Sequence, residues 1–190
     1  MNSSGSSSRA DSSLSVQDMT LIALMTAVLC ILGPLAIPVP FSPVPVSFTN
    51  LALYLIVYIL DFKCSLLCYT IYYLLGSAGL PIFSGFRSGF GHVAGPTGGY
   101  LLGFFLQTAV SAYFMKHWKS HRFMELLGLT LGTIACYGFG TLWLSHHLHI
   151  SLSSGLTVAV LPYLPGDILK IIAASLLGTK LRKNLQKARH

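Results

Sequence analysis

The sequence predicts an all-α integral membrane protein, a bundle of six transmembrane helices with irregular proline- and glycine-rich outer loops. Three observations predict it. Of 190 residues, 53% are hydrophobic and 9% charged, with mean hydropathy +0.69; a soluble domain carries about 25% charged residues. The apolar residues gather into six runs separated by polar or proline-rich breaks. The basic residues collect on one side of those runs. The length suits one bundle.

Residues 1–15, MNSSGSSSRADSSLS, are serine-rich and poor in apolar side chains, which predicts a disordered N-terminal tail. The first run, Met19 to Leu32, has only Arg9 as an upstream basic flank and no clear small-x-small cleavage site. It reads as an uncleaved transmembrane helix rather than a signal peptide. Five runs follow: Thr49–Leu60, Cys64–Gly76, Gly99–Met115, Leu126–Leu144 and Val158–Gly178. The second and third of the six fall short of the ~20 residues that span a bilayer alone. They need their flanks or a thinned bilayer; a re-entrant pair is the alternative. The bundle is therefore drawn over residues 16–180, with 181–190 as a basic cytoplasmic tail.

Loop charges set the orientation. Six spans put Arg9, Lys63, Lys116, Lys119, Arg122, Lys180, Arg182, Lys183, Lys187 and Arg189 on one side. The other side holds Arg87, with Lys170 at the membrane edge. Ten against one is a strong positive-inside bias, so both termini are expected in the cytoplasm of a multi-pass plasma-membrane protein. The same charges sit at helix ends and do not point to nucleic acid; contact with anionic lipid is a by-product of topology. Every proline, Pro34 through Pro165, falls in or beside an outer connection. Proline stiffens backbone that is not helical, and such backbone is tolerated at membrane depth only where protein buries it or it lines a cavity.

The last run opens with Leu164-Pro165-Gly166-Asp167-Ile168-Leu169-Lys170. Asp167 is the only acidic residue after Glu125, and no charge follows Lys170 until Lys180. A charge near mid-membrane costs roughly 2.5–3.5 kcal/mol on insertion scales. Proline suits a first helical turn, and a carboxylate there suits the positive end of the helix dipole. Three apart on a helix, Asp167 and Lys170 share a face. They form either a self-neutralising ion pair or an acceptor and donor offered together to a ligand.

Residues 76–103, GSAGLPIFSGFRSGFGHVAGPTGGYLLG, hold nine of the eighteen glycines. Glycine permits close backbone approach to a neighbour or ligand. No Gly-x4-Gly-Lys-[Ser/Thr] phosphate loop occurs, so this chain is not expected to hydrolyse ATP alone. Arg87 suits an anionic small molecule or a lipid headgroup. His92 reads as loop filler. Tyr100 and Phe86 offer faces for a flat ring or anchors at the interface. Cys30, Cys64, Cys68 and Cys136 lie inside apolar runs and read as helix packing, and the His146, His147, His149 cluster reads as an interfacial loop; no metal site is expected. Ala23-x3-Ala27 and Gly128-x3-Gly132 are small-residue patches that let helices approach closely.

Three blocks carry a family resemblance: Gly79-Leu80-Pro81, Gly95-Pro96-Thr97-Gly98-Gly99-Tyr100, and Pro165-Gly166-Asp167-x-x-Lys170. In order and spacing they resemble the biotin-specific S component of energy-coupling factor (ECF) transporters, from the first helix onward. Pro43-Val44-Pro45-Val46-Ser47-Phe48-Thr49-Asn50 is similar to the family's approach to its second helix, and Ala23-x3-Ala27 to the motif with which S components pack on their partner. The resemblance implies a six-helix subunit that captures biotin from outside and associates with a transmembrane coupling protein and two ATPase subunits. Biotin would be cargo, with no cofactor of the chain's own and ATP used by the partners. By the resemblance Asp167 and Lys170 would contact the ligand. Their closeness on one helix face fits the ureido end, which leaves Arg87, Thr49 or Asn50 for the carboxylate and Tyr100 for the wall; the reversed pose puts Lys170 on the carboxylate. Phe86-Arg87-Ser88 and Thr49 depart from the family's usual residues. The alternatives are an S component for another vitamin, a stand-alone carrier, or an intramembrane hydrolase built on Ser145 and His146, which lack an evident orienting carboxylate.

Overall fold

The computed structural model describes residues 14–40, 42, 44–118 and 121–188. The first thirteen residues of the expected tail, and Pro43, Lys119 and Arg189, lie outside the described residues. The fold is mostly helical, with one two-stranded ribbon.

Helix α1 (Val16–Leu32) starts where the Ser15 side chain accepts from the Asp18 N–H at 3.1 Å, an N-cap that satisfies an otherwise orphaned donor. Ile22, Met25, Thr26 and Leu29 form its buried stripe at helical spacing, while Ala23 and Ala27 are exposed on the other face. The helix stops before Pro34. The proline-rich connection folds back as β1 (Ala36–Ile37) and β2 (Val46–Ser47), antiparallel with Ala36 opposite Ser47. Helix α2 (Thr49–Ile59) touches α1, α3, α5 and α8 and is the most enclosed element, with Ala52, Leu53, Tyr54 and Ile56 fully buried.

A two-residue connection leads into α3 (Phe62–Ser77). The glycine-rich stretch then carries the single turn α4 (Phe90–Val93) before α5 (Gly98–His117). Helices α5 and α6 (Arg122–Leu148) form the most extensive pair. Glycine makes their approach possible: a Cβ on Gly103 would lie 2.9 Å from the Cys136 carbonyl, and one on Gly132 would lie 2.8 Å from that of Gln107. Gly128 and Gly132 both pack inside the molecule, against Phe114 and Ser111.

The sixth apolar run is not one helix. It divides into α7 (Leu152–Ala159) and α8 (Leu164–Ala188), bent by 56°. Pro162 lacks the N–H that would continue the ladder, and residues 160–163 turn instead. At the other end α8 runs on through the basic residues to Ala188, so positions 181–188 are helix. There Arg182 meets the buried Glu125 of α6 at 3.0 Å.

Apolar and polar residues are distributed unlike those of a water-soluble core. Leu24, Ile31, Ile134, Leu142, Leu169 and Ile172 are exposed, whereas Thr49, Ser65, Gln107, Thr108, Ser111 and Glu125 are buried. By length and composition α6 alone is sufficient to cross a membrane, and the bent α7–α8 pair is a second candidate, among the described residues.

Candidate functional site

At the end of the molecule where α1 finishes and α2 begins, a cavity opens among the ribbon, the glycine-rich stretch and the first turns of α5 and α8. Its empty space, open mouth included, is about 670 Å³. Val44, Val46, Leu101, Phe104 and Ala159 give apolar wall; Asn50, Arg87, His92, Tyr137, Asp167 and Lys170 give polar groups.

Asp167 sits in the first turn of α8, its N–H bonded to the Tyr163 carbonyl at 2.9 Å, and is 4% exposed. Its Oδ1 accepts from Lys170 Nζ at 3.2 Å and from Asn50 Nδ2 at 3.4 Å, and its Oδ2 from the Tyr137 hydroxyl. Lys170 Nζ also donates to the Ser47 carbonyl at 2.8 Å. The proline-rich segment thus supplies a backbone acceptor at a fixed place, and the Tyr163 hydroxyl ties α8 to the same segment through the Val44 carbonyl. The pair is therefore an ion pair and also part of a cavity wall.

Arg87 stands exposed at the rim, its strand-like backbone closed by the Phe83 N–H on its carbonyl at 3.0 Å. Tyr100 is buried, shares a hydrogen bond with Thr141 at 3.1 Å and lines the cavity. Asn50 lines it from the first turn of α2. Thr49, its neighbour, is buried and is not among the lining residues. Phe86, in left-handed backbone at φ 59°, is exposed and also outside the lining.

His92, read from sequence as filler, lines the cavity with its ring 5.7 Å from that of Phe83. Burial first, and the Arg87 guanidinium second, push its imidazole below the ordinary range. Tyr137 was not singled out either. The signal lay in α6, where Thr133, Tyr137 and Thr141 recur every four residues within an apolar run. Each uses its hydroxyl inward, on Tyr54 (2.6 Å), Asp167 and Tyr100 respectively. Ser47 acts through its backbone, which no side-chain pattern announces.

Among the described residues no three His, Cys, Asp or Glu side chains gather as for a metal. His147 instead stacks on Trp143 and meets the Ala94 carbonyl through Nε2 at 3.0 Å, while Trp143 Nε1 donates to the Gly95 carbonyl at 3.0 Å. These bonds hold the glycine-rich stretch over α6. A second cavity, about 770 Å³, lies at the opposite end among Asp18, Tyr58, Asp61, Lys116 and Arg182.

The chain as a whole has relatives. The biotin transporter BioY2 of Lactococcus lactis subsp. cremoris is 32% identical over 167 residues, covering 88% of this chain and 91% of its own. The biotin transporter BioY of Thermotoga maritima is 32% identical over 148 residues, covering 77% and 86%. A crystal structure of the S-component for biotin from an ECF-type ABC transporter superposes with a TM-score of 0.83 at 32% identity, covering 88% of this chain and 92% of that one. The model of the BioY family matches residues 5–187, and the chain belongs to that family.

Proposed function

We propose that this chain is the membrane-embedded, high-affinity biotin-binding subunit of an ECF-type uptake system. The observation that carries the reading is the Asp167–Lys170 couple in the wall of an otherwise largely apolar cavity. Biotin's ureido group presents N–H donors and a carbonyl acceptor at one end of an apolar bicycle. Asp167 accepts an N–H, Lys170 donates to the carbonyl, and the aliphatic and aromatic walls cover the thiolane ring. Arg87 at the rim takes the carboxylate, with Asn50 beside the polar floor and Tyr100 in the wall. Charge-assisted bonds in a dry pocket are stronger than in water. Thr49, buried outside the lining, is a support for α2 in this account rather than a ligand contact.

The chain crosses the plasma membrane six times through α1, α2, α3, α5, α6 and α8, with both termini cytoplasmic and the cavity facing outward. The ten-to-one split of basic residues and the apolar exterior support that orientation. The exposed Ala23 and Ala27 of α1 receive a transmembrane coupling protein, and a pair of ATPases supplies the energy. The names of the relatives support biotin as cargo and an ECF assembly as context. The test is equilibrium biotin binding to the detergent-purified chain, with an analogue lacking the ureido group. Tight binding of biotin and strong rejection of the analogue support the reading, because the analogue strands Asp167. Equal binding of the two, or none, refutes it. Uptake by cells with and without the ATPase module separates an ECF subunit from a stand-alone carrier.

A further inference from the structure

Asp167 is already crowded before any ligand arrives. A carboxylate has about four lone-pair directions, two per oxygen. On Oδ1, Lys170 at 3.2 Å and Asn50 at 3.4 Å use both. On Oδ2 the Tyr137 hydroxyl uses one. One direction remains. Tyr137 reaches Asp167 from α6, whereas Lys170 belongs to α8 and Asn50 to α2, so the carboxylate is held from three helices. Tyr137 is half-buried and lines the same cavity.

We infer that Tyr137 is a specificity-determining positioning residue: its hydroxyl fixes the plane of the Asp167 carboxylate and leaves that carboxylate room for a single ligand N–H. The inference rests on the biotin-binding reading and adds a rule to it. With Tyr137 in place, the site takes one donor at Asp167, in one direction. Without its hydroxyl, Oδ2 has two open directions and the carboxylate loses its anchor on α6. The geometry that rewards a ureido N–H over other groups then relaxes.

A packing role for Tyr137 predicts something different. Its ring lies 6.5 Å from that of Tyr100, edge to face, and this contact survives removal of the hydroxyl. Tyr137→Phe keeps the ring and deletes one oxygen. Affinities for biotin and for the des-ureido analogue are measured by calorimetry on the parent and on Tyr137→Phe, with the melting temperature of each ligand-free protein as a fold check. Biotin binding is expected to weaken about tenfold, as for loss of a charge-assisted bond that orders the site. Analogue binding should change less than about twofold, so that discrimination falls by nearly the full factor. An equal loss for both ligands, or no loss for either, overturns the inference.

A second measurement guards against an indirect effect. In an Asp167→Ala background Tyr137→Phe should change biotin affinity by less than about twofold, because no side-chain oxygen remains at position 167 for the hydroxyl to act through. The same tenfold loss in both backgrounds overturns the inference while leaving biotin binding intact. A parent protein that fails to bind biotin overturns the functional reading itself, and the inference falls with it.

Discussion

Asp167→Asn removes a charge while almost preserving volume, and its consequences can be worked from the contacts. Asp167 is 5% exposed at its side chain and Lys170 12%, with 3.2 Å between them. Removing one partner of a buried pair costs about 3–5 kcal/mol when the other is left uncompensated. Lys170 keeps the Ser47 carbonyl at 2.8 Å and a little exposure, so the stability loss belongs at the lower end, about 3 kcal/mol. Ligand binding suffers separately. A hydrogen bond to a charged group contributes about 1.5–3 kcal/mol, and each 1.4 kcal/mol is a factor of about ten in Kd. Biotin affinity should therefore fall roughly tenfold to a hundredfold. The assay is isothermal titration calorimetry on purified Asp167→Asn, after thermal unfolding shows that it remains folded at the working temperature. A folded variant with biotin Kd within about twofold of the parent would refute the reasoning, whatever its stability.

Three further expectations follow from other parts of the molecule. Ala23 is exposed on α1, away from the Ile22–Met25–Leu29 stripe; Ala23→Trp should leave biotin affinity unchanged yet abolish co-purification with the coupling protein and ATPases, and joint loss of both would indicate misfolding instead. Glu125→Gln removes the buried carboxylate that accepts from Arg182 at 3.0 Å, away from the residues lining the candidate cavity; stability should drop by about 1.5–3 kcal/mol, the contribution of a hydrogen bond to a charged group, read as a lowered melting temperature, with biotin Kd unaltered. His92 is held below its ordinary value of about 6.5 by burial and by Arg87. The unfolded chain therefore binds a proton that the folded chain resists, and stability is lost as pH falls below about 6.5. Comparing the parent with His92→Gln between neutral and mildly acidic pH should show a shallower decline in the variant; parallel curves would contradict this assignment.

What was legible in the sequence follows from physical cost. Charges inside apolar runs are expensive, so Asp167 and Lys170 stood out at once, and the structure places them 3.2 Å apart on a cavity wall. Proline and glycine mark non-helical backbone, so the irregular end of the molecule was visible as well. Tyr137 was harder to see because a tyrosine in an apolar helix scores as another apolar residue; only its spacing from Thr133 and Thr141 betrays the inward polar stripe. The carbonyls of Ser47 and Val44 have no side-chain signature. The division of the last run at residues 160–163 was obscured because Val160 and Leu161 continue its hydropathy while Pro162 ends its hydrogen bonding. Adjacent residues on a helix point about 100° apart, which is how Asn50 reaches the cavity while Thr49 faces the core.

On the proposed reading, one carboxylate–ammonium couple, framed by the proline-rich ribbon and the glycine-rich stretch, receives biotin. An experimental structure of the chain with biotin at saturating concentration tests it most directly. The ureido group is expected within hydrogen-bond distance of both Asp167 and Lys170, with the ring system against Phe104 and Tyr100. Biotin seated in the cavity beside Asp18 and Arg182 at the other end, or a site left unoccupied at saturation, would contradict it.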